Sequence, residues 1–116
     1  MRLSFLAPMF FWGKDLCEVI ELVAKLGYDA IETWNWKGLD LDRVKATLDA
    51  NGVELVGMCT SEFRMNDPEF RKLWLDGLRE SCEAAKRLGT KNLITQVGQD
   101  TGKRLDFQHQ SIVDTS

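Results

Sequence analysis

Missing from this sequence is any stretch near the roughly 20 apolar residues that a membrane span needs. Missing too is a basic tract: 15 lysines and arginines stand against 18 acids, a net charge of -3. A phosphate backbone finds no electrostatic partner in such a chain, so nucleic acid is not an expected ligand. The three cysteines, Cys17, Cys59 and Cys82, are too few and too widely spaced for a disulfide framework. They fit a reducing cytosol, with Cys17 and Cys82 as small core residues on apolar helix faces. No G-x-G-x-x-G follows the first strand; Ala7-Pro8-Met9-Phe10-Phe11-Trp12-Gly13 stands there instead. That removes the phosphate-binding turn of a doubly wound nucleotide fold. Met1 to Leu6 has the look of a secretory leader, but the apolar run breaks at Pro8 and Gly13 and is followed by Lys14-Asp15. An opening strand is expected there.

What is present is one junction, used three times. Lys25-Leu26-Gly27-Tyr28-Asp29-Ala30-Ile31-Glu32 reads as a helix end, a glycine and a strand. Leu48-Asp49-Ala50-Asn51-Gly52-Val53-Glu54-Leu55-Val56 repeats it, and so does Leu88-Gly89-Thr90-Lys91-Asn92-Leu93-Ile94. A helix C-terminus wants a residue that tolerates positive φ, and glycine does so without a Cβ clash. Helices alternating with strands predict parallel pairing in an α/β fold.

Taken in order, strands are expected at Arg2–Leu6, Asp29–Thr33, Val53–Met58 and Lys91–Val97. The first helix is capped by Asp15, with Glu18 as reciprocal partner, and carries Leu16, Val19, Ile20, Val23 and Leu26 on one face. Asp40 caps the second, with Leu41, Val44 and Leu48 inward. Asp67-Pro68-Glu69 opens a long third helix. Its stripe is Phe70, Leu73, Trp74, Gly77, Leu78, Ser81, Cys82, Ala85 and Leu88. Gly57 marks close approach of another group to the third strand. Ala7 to Gly13 is expected as a loop whose aromatics either pack under neighbouring loops or line a pocket. A fourth helix starts near Phe107, and the lone histidine, His109, is expected on its surface.

Four βα units, the last unfinished, make half of an eight-stranded barrel. The expected fold is α/β, with parallel βα repeats forming the N-terminal half of a TIM barrel over residues 1–116: strands 1 to 4, helices 1 to 3 and the start of helix 4. Parallel strands want both faces and both edges covered. The expectation is therefore a fragment of a chain of roughly 250 residues, or copies that associate.

The first two junction segments, together with Ala85-Lys86-Arg87-Leu88-Gly89 leading into the fourth strand, resemble the xylose-isomerase-like TIM barrels, and within them the hydroxypyruvate isomerases and related sugar isomerase/epimerases. The resemblance implies proton transfer between adjacent carbons of a small hydroxy-carbonyl sugar or acid through an enediolate. It also implies that the catalytic glutamates and metal ligands lie on later strands, beyond Ser116. No catalytic base and no metal ligand are assigned here, no cofactor is expected on this segment, and the divalent metal belongs to the complete barrel. The chain alone is expected to be inactive, with a second copy or a complementing C-terminal half as partner. A non-catalytic assembly module, or a truncated gene product, is the other expectation.

This half supplies pocket wall. Glu32 ends the second strand on the active face, either as a substrate contact or as the partner of a lysine or arginine. Trp12, Trp34 and Trp36 lie in strand-to-helix loops, where aromatics stack on sugar faces. Cys59 resembles a substrate-facing position of the epimerase branch, or is a bystander thiol. Gln96 and Gln99 are hydrogen-bond donors for substrate hydroxyls, with solvation the alternative for Gln99. Abasic-site endonucleases of the superfamily carry histidines at the ends of the third and fourth strands. Cys59-Thr60 and Gln96-Val97-Gly98 stand there instead.

Overall fold

Strand and helix alternate along the whole chain in the computed structural model, which describes residues 1–116. The order is β1 (Ser4–Leu6), a helical turn α1 (Ala7–Phe10), α2 (Leu16–Lys25), β2 (Ala30–Thr33), α3 (Leu41–Asn51) and β3 (Glu54–Cys59). A 3-10 turn, Pro68–Phe70, then leads into α4 (Arg71–Leu88), β4 (Leu93–Ile94) and α5 (Leu105–Thr115). All pairings are parallel and the strands lie in chain order, β1-β2-β3-β4. This is the expected succession of βα units. No helix is long and apolar enough to cross a membrane.

Local chemistry sets the boundaries. Gly27, Gly52 and Gly89 follow the three helices with φ of +84°, +64° and +82°, the conformation the repeated junction calls for. The Asp15 carboxylate accepts the Cys17 N–H at 2.7 Å, and Asp40 accepts that of Arg43 at 3.0 Å. The reciprocal bond expected of Glu18 is not made; Asp15 spends its other oxygen on Arg43, at 2.9 Å.

The core lies between the sheet and α2, α3 and α4. Ile20, Val23, Ile31, Leu48 and Met58 are fully buried there, with Val19, Val44, Leu55 and Leu88 around them. A bulge sets the faces of the sheet. Ile31 pairs with Leu55 but Glu32 with Gly57, so Val56 is an extra residue on β3. Leu55 and Met58 both reach the helical side because of it. Parallel partners point the same way, so Leu6, Glu32, Gly57, Cys59 and Ile94 share the opposite, concave face.

Several expectations are corrected. β1 and β2 begin later than Arg2 and Asp29, and β3 is shifted one residue on, to Glu54–Cys59. β4 is only two residues long, not Lys91–Val97, because only Leu93 and Ile94 register with β3 and its other edge has no neighbour. The Ala7–Gly13 loop opens with α1, whose first turn accommodates Pro8. α5 starts at Leu105, ahead of Phe107. Three stripe residues are less buried than their spacing suggests. Leu26 lies at the helix end and is 60% exposed, Leu73 is exposed, and Cys82 is half-buried on the flank of α4. The radius of gyration is 16.1 Å, against about 13 Å for a closed domain of this length. The difference reflects an open sheet with two uncovered edges.

Candidate functional site

The carboxyl ends of parallel strands gather side chains from separate units at one rim. On the concave side, Glu32 of β2 is half-buried and accepts a hydrogen bond from Ser4 Oγ of β1 at 3.0 Å. Gly57 of β3 leaves room beside it: a Cβ there would sit 3.8 Å from both Glu32 Cγ and Ile94 Cδ1. These are ordinary van der Waals distances, so the close approach expected at Gly57 is not found. Cys59 ends β3 on the same face. Burial pushes its thiol above the ordinary cysteine value, and the charge of Glu32 adds to that. The thiol is therefore a neutral, weak donor rather than a nucleophile at neutral pH.

Glu32 forms no ion pair with any lysine or arginine; its partner is a hydroxyl. The structural alternative raised for it, pairing with a base, is thus not the arrangement found. A carboxylate without a countercharge, beside a protonated thiol, can accept hydrogen bonds from hydroxyl groups of a small polar molecule.

The tryptophans divide. Trp12 and Trp34 meet edge to face, with centroids 6.3 Å apart and planes at 64°. They line a cavity of about 640 Å³ with Ala7, Phe11, Leu16, Thr33 and Val44. Thr33 and Val44 belong to the helical side of the sheet, so this cavity opens away from the face that carries Glu32. Trp36 goes elsewhere. It is 9% exposed and packs into the core, its Nε1 without a partner. Its outer edge borders a larger groove, about 870 Å³, between α3 and α4. That groove is lined by α3, α4 and the loop after β2 and contains no strand residue, and size alone does not make it the functional one.

The two glutamines lie past the short β4. Gln96 is exposed and its side chain makes no hydrogen bond. Gln99 is exposed too, but its carbonyl accepts Asn66 Nδ2 at 2.7 Å. The Gln99 bond belongs to a latch that the sequence did not reveal. Asn66 Nδ2 also donates to Gln108 Oε1 at 3.0 Å, which in turn accepts the Thr101 N–H at 3.2 Å. Gln108 Nε2 donates to Asp100 at 2.8 Å and to the Lys103 carbonyl at 2.7 Å. Lys103 Nζ grips both oxygens of Asp67 at 3.0 Å. The latch ties the loop after β4 to the loop after β3. Its one visible sign was Asp67, read only as a helix cap; Asp67 does accept the Glu69 N–H, and it holds Lys103 as well. His109 is exposed on α5, as expected. No group of three or more His, Cys, Asp or Glu side chains placed to hold a metal ion is found in the chain.

Comparison with known proteins places this architecture. The family described as "Xylose isomerase-like TIM barrel" matches residues 20–115. No curated protein matches the sequence. Among solved structures, an AP endonuclease of family 2 from Brucella melitensis superposes with a TM-score of 0.89 at 14% identity. It covers 99% of this chain and 48% of that one. The IOLI protein with a binding zinc atom gives 0.75 at 19% identity, covering 99% of this chain and 45% of that one. The 3-keto-D-glucoside 4-epimerase YcjR from E. coli gives 0.72 at 18%, covering 98% and 48%. At these identities the likeness is one of fold. The chain spans about half the length of these neighbours.

Proposed function

Because the chain belongs to the xylose isomerase-like TIM barrel family, we propose that it forms one wall of a sugar isomerase or epimerase site of the hydroxypyruvate isomerase kind. The substrate is a small hydroxy-carbonyl sugar or acid. The supporting observation is Glu32: a carboxylate with a hydroxyl partner and no countercharge, on the concave face at the carboxyl end of β2. An epimerase among the structural neighbours agrees with this reading. The endonuclease reading is not favoured, since the residues at and after the ends of β3 and β4, Cys59-Thr60 and Gln96-Val97-Gly98, include none of the histidines that the resemblance implies for that chemistry.

In the reaction, a base takes a proton from one carbon, an enediolate forms, and a proton returns to the adjacent carbon. No redox partner is needed. In our reading Glu32 orients the substrate by accepting a hydrogen bond from one hydroxyl. Cys59 presents a neutral S–H beside it, and Gln96 reaches a further hydroxyl from the loop after β4. The base, and the ligands of any divalent metal, come from strands outside this sequence. A complementing back half or a second copy covers the open edges of β1 and β4.

Titration of isotope-labelled chain with hydroxypyruvate tests the binding half of this proposal. Amide shifts are expected at Ser4, Glu32 and Cys59, and their loss in Glu32→Gln. Saturating hydroxypyruvate that leaves those amides unmoved would remove the proposal. Conversion to tartronate semialdehyde is expected to be absent for the chain alone, with or without divalent metal. A second reading, a non-catalytic assembly module, draws on the uncovered edges; a sedimentation coefficient of a compact monomer would count against it.

A further inference from the structure

The two outer strands of the sheet pair on one side only, β1 with β2 and β4 with β3. Apolar surface gathers beside both. The helix at the β4 edge, α5, is built the wrong way round: the residues it buries are Gln108, Ser111 and Thr115. Leu105, Ile112 and Val113, at i, i+7 and i+8, form a stripe on another side of it. Leu105 is 77% exposed and Val113 55%. An amphipathic helix turns such a stripe toward a packing partner; this one faces water. At the β1 edge, Phe10 of α1 is 68% exposed and Leu3 is exposed too. Leu22 and Leu26 stand at i, i+4 on an exposed flank of α2.

We propose that both edges are covered by a second copy of this chain, related by a twofold axis along the ring, with β4 and α5 of each copy against β1, α1 and α2 of the other. The four strands are parallel and in chain order. An identical copy therefore brings a β1 edge of matching direction to each β4 edge. The two seams are equivalent, so the assembly closes at two copies instead of growing. Four strands from each copy make the eight of a complete barrel. α2 and α5 each follow a strand of the same direction, so they run parallel across a seam, with Leu22 and Leu26 set against Ile112 and Val113. The polar groups agree. Glu18 and Glu21 of α2 are exposed and without an ion pair, and the α5 stripe carries His109, a hydrogen-bond donor. Closure also completes the concave face, to which each copy contributes its Glu32 and Cys59. The inference goes beyond the isomerase reading, which a back half in any chain would serve equally, and stands apart from it.

Sedimentation equilibrium of the 116-residue chain, of 13.2 kDa, tests this. A single species of twice that mass is expected. Val113→Asp and Leu26→Lys alter exposed side chains, so each keeps the fold of one copy, and circular dichroism checks both. Each variant alone puts a charge into both seams and should weaken dimerisation about a hundredfold. Mixed, the two variants should pair, because one seam then sets aspartate against lysine and the other is unaltered. Ala46→Asp adds a charge on the exposed side of α3, which has α2 and α4 beside it, and should leave the mass unchanged. A monomer, growth into larger open oligomers, equal weakening by Ala46→Asp, or variants that do not pair on mixing overturns the inference. The isomerase proposal is read separately, by hydroxypyruvate at Ser4, Glu32 and Cys59, and survives any of these results.

Discussion

The front of the molecule and its back are held together by different forces. From β1 to β3, aliphatic side chains close over one another; Ile20, Val23, Ile31, Leu48 and Met58 are fully buried. From β4 onward, Val97, Leu105, Phe107 and Val113 face water. Amide and carboxylate bonds around Asn66, Gln108 and Asp67 do the holding there. The front has its packing partners within the sequence. The back ties most of its polar groups together, Asn66 Oδ1 excepted, and leaves its apolar ones uncovered, as a segment does when its neighbour is another part of a ring.

The contrast can be broken at either end. The largest effect is expected in the front: Ile31→Ala should cost about 2–5 kcal/mol, read as a shift of the urea midpoint. A cost below the range for a buried aliphatic would mean the front is not the stable unit. The next effect belongs to the back. Gly98 has φ of +116°, and a Cβ there would press into Asn66, 2.9 Å from its Cγ and 3.0 Å from the Phe63 carbonyl. Gly98→Ala should cost about 1–3 kcal/mol, with faster hydrogen exchange over residues 98–108 and none at Ile31. Equal loss of protection in both regions would erase the distinction.

Acid sharpens it further. The hydrogen bond from Lys103 holds Asp67 below the usual carboxylate value, and that from Gln108 does the same to Asp100. The folded state then binds fewer protons than the unfolded one. Stability from these groups is whole above the unfolded value, about pH 4, and is lost as pH falls through the lowered folded values. Amides of α5 should lose protection below about pH 4 before those of β2 do; simultaneous loss would contradict the division. The smallest effect is on the surface. Glu83→Gln removes the Lys86 pair, two exposed side chains at 2.7 Å, and should leave the urea midpoint where it was.

Legibility in the sequence follows the same line. The helical stripe of Val19, Ile20 and Val23 and the glycines after each helix are local patterns, and they foretold the front well. The latch was hidden because Asn66, Gln108 and Lys103 are far apart in the chain and carry no periodic signal. Only Asp67 showed, and for its nearer role. The positions of Glu32 and Cys59 near strand ends were legible from the local pattern. The separation of Trp12 and Trp34 from Trp36 was not, since all three stand in loops and only packing decides which ring is taken into the core. Ser4 offered no hint; one hydroxyl in a three-residue strand is an ordinary thing.

The extra residue at Val56 has a consequence for how this chain tolerates change. Beyond it, odd and even positions of β3 exchange sides. Flattening the bulge while keeping Val56 would turn the thiol of Cys59 toward the helices and bring the thioether of Met58 out beside Glu32, whereas deleting Val56 would leave both where they are. A lineage that lost this codon would straighten its third strand and still present the same groups at the rim; one that lost a neighbouring codon and kept an even ladder elsewhere would not.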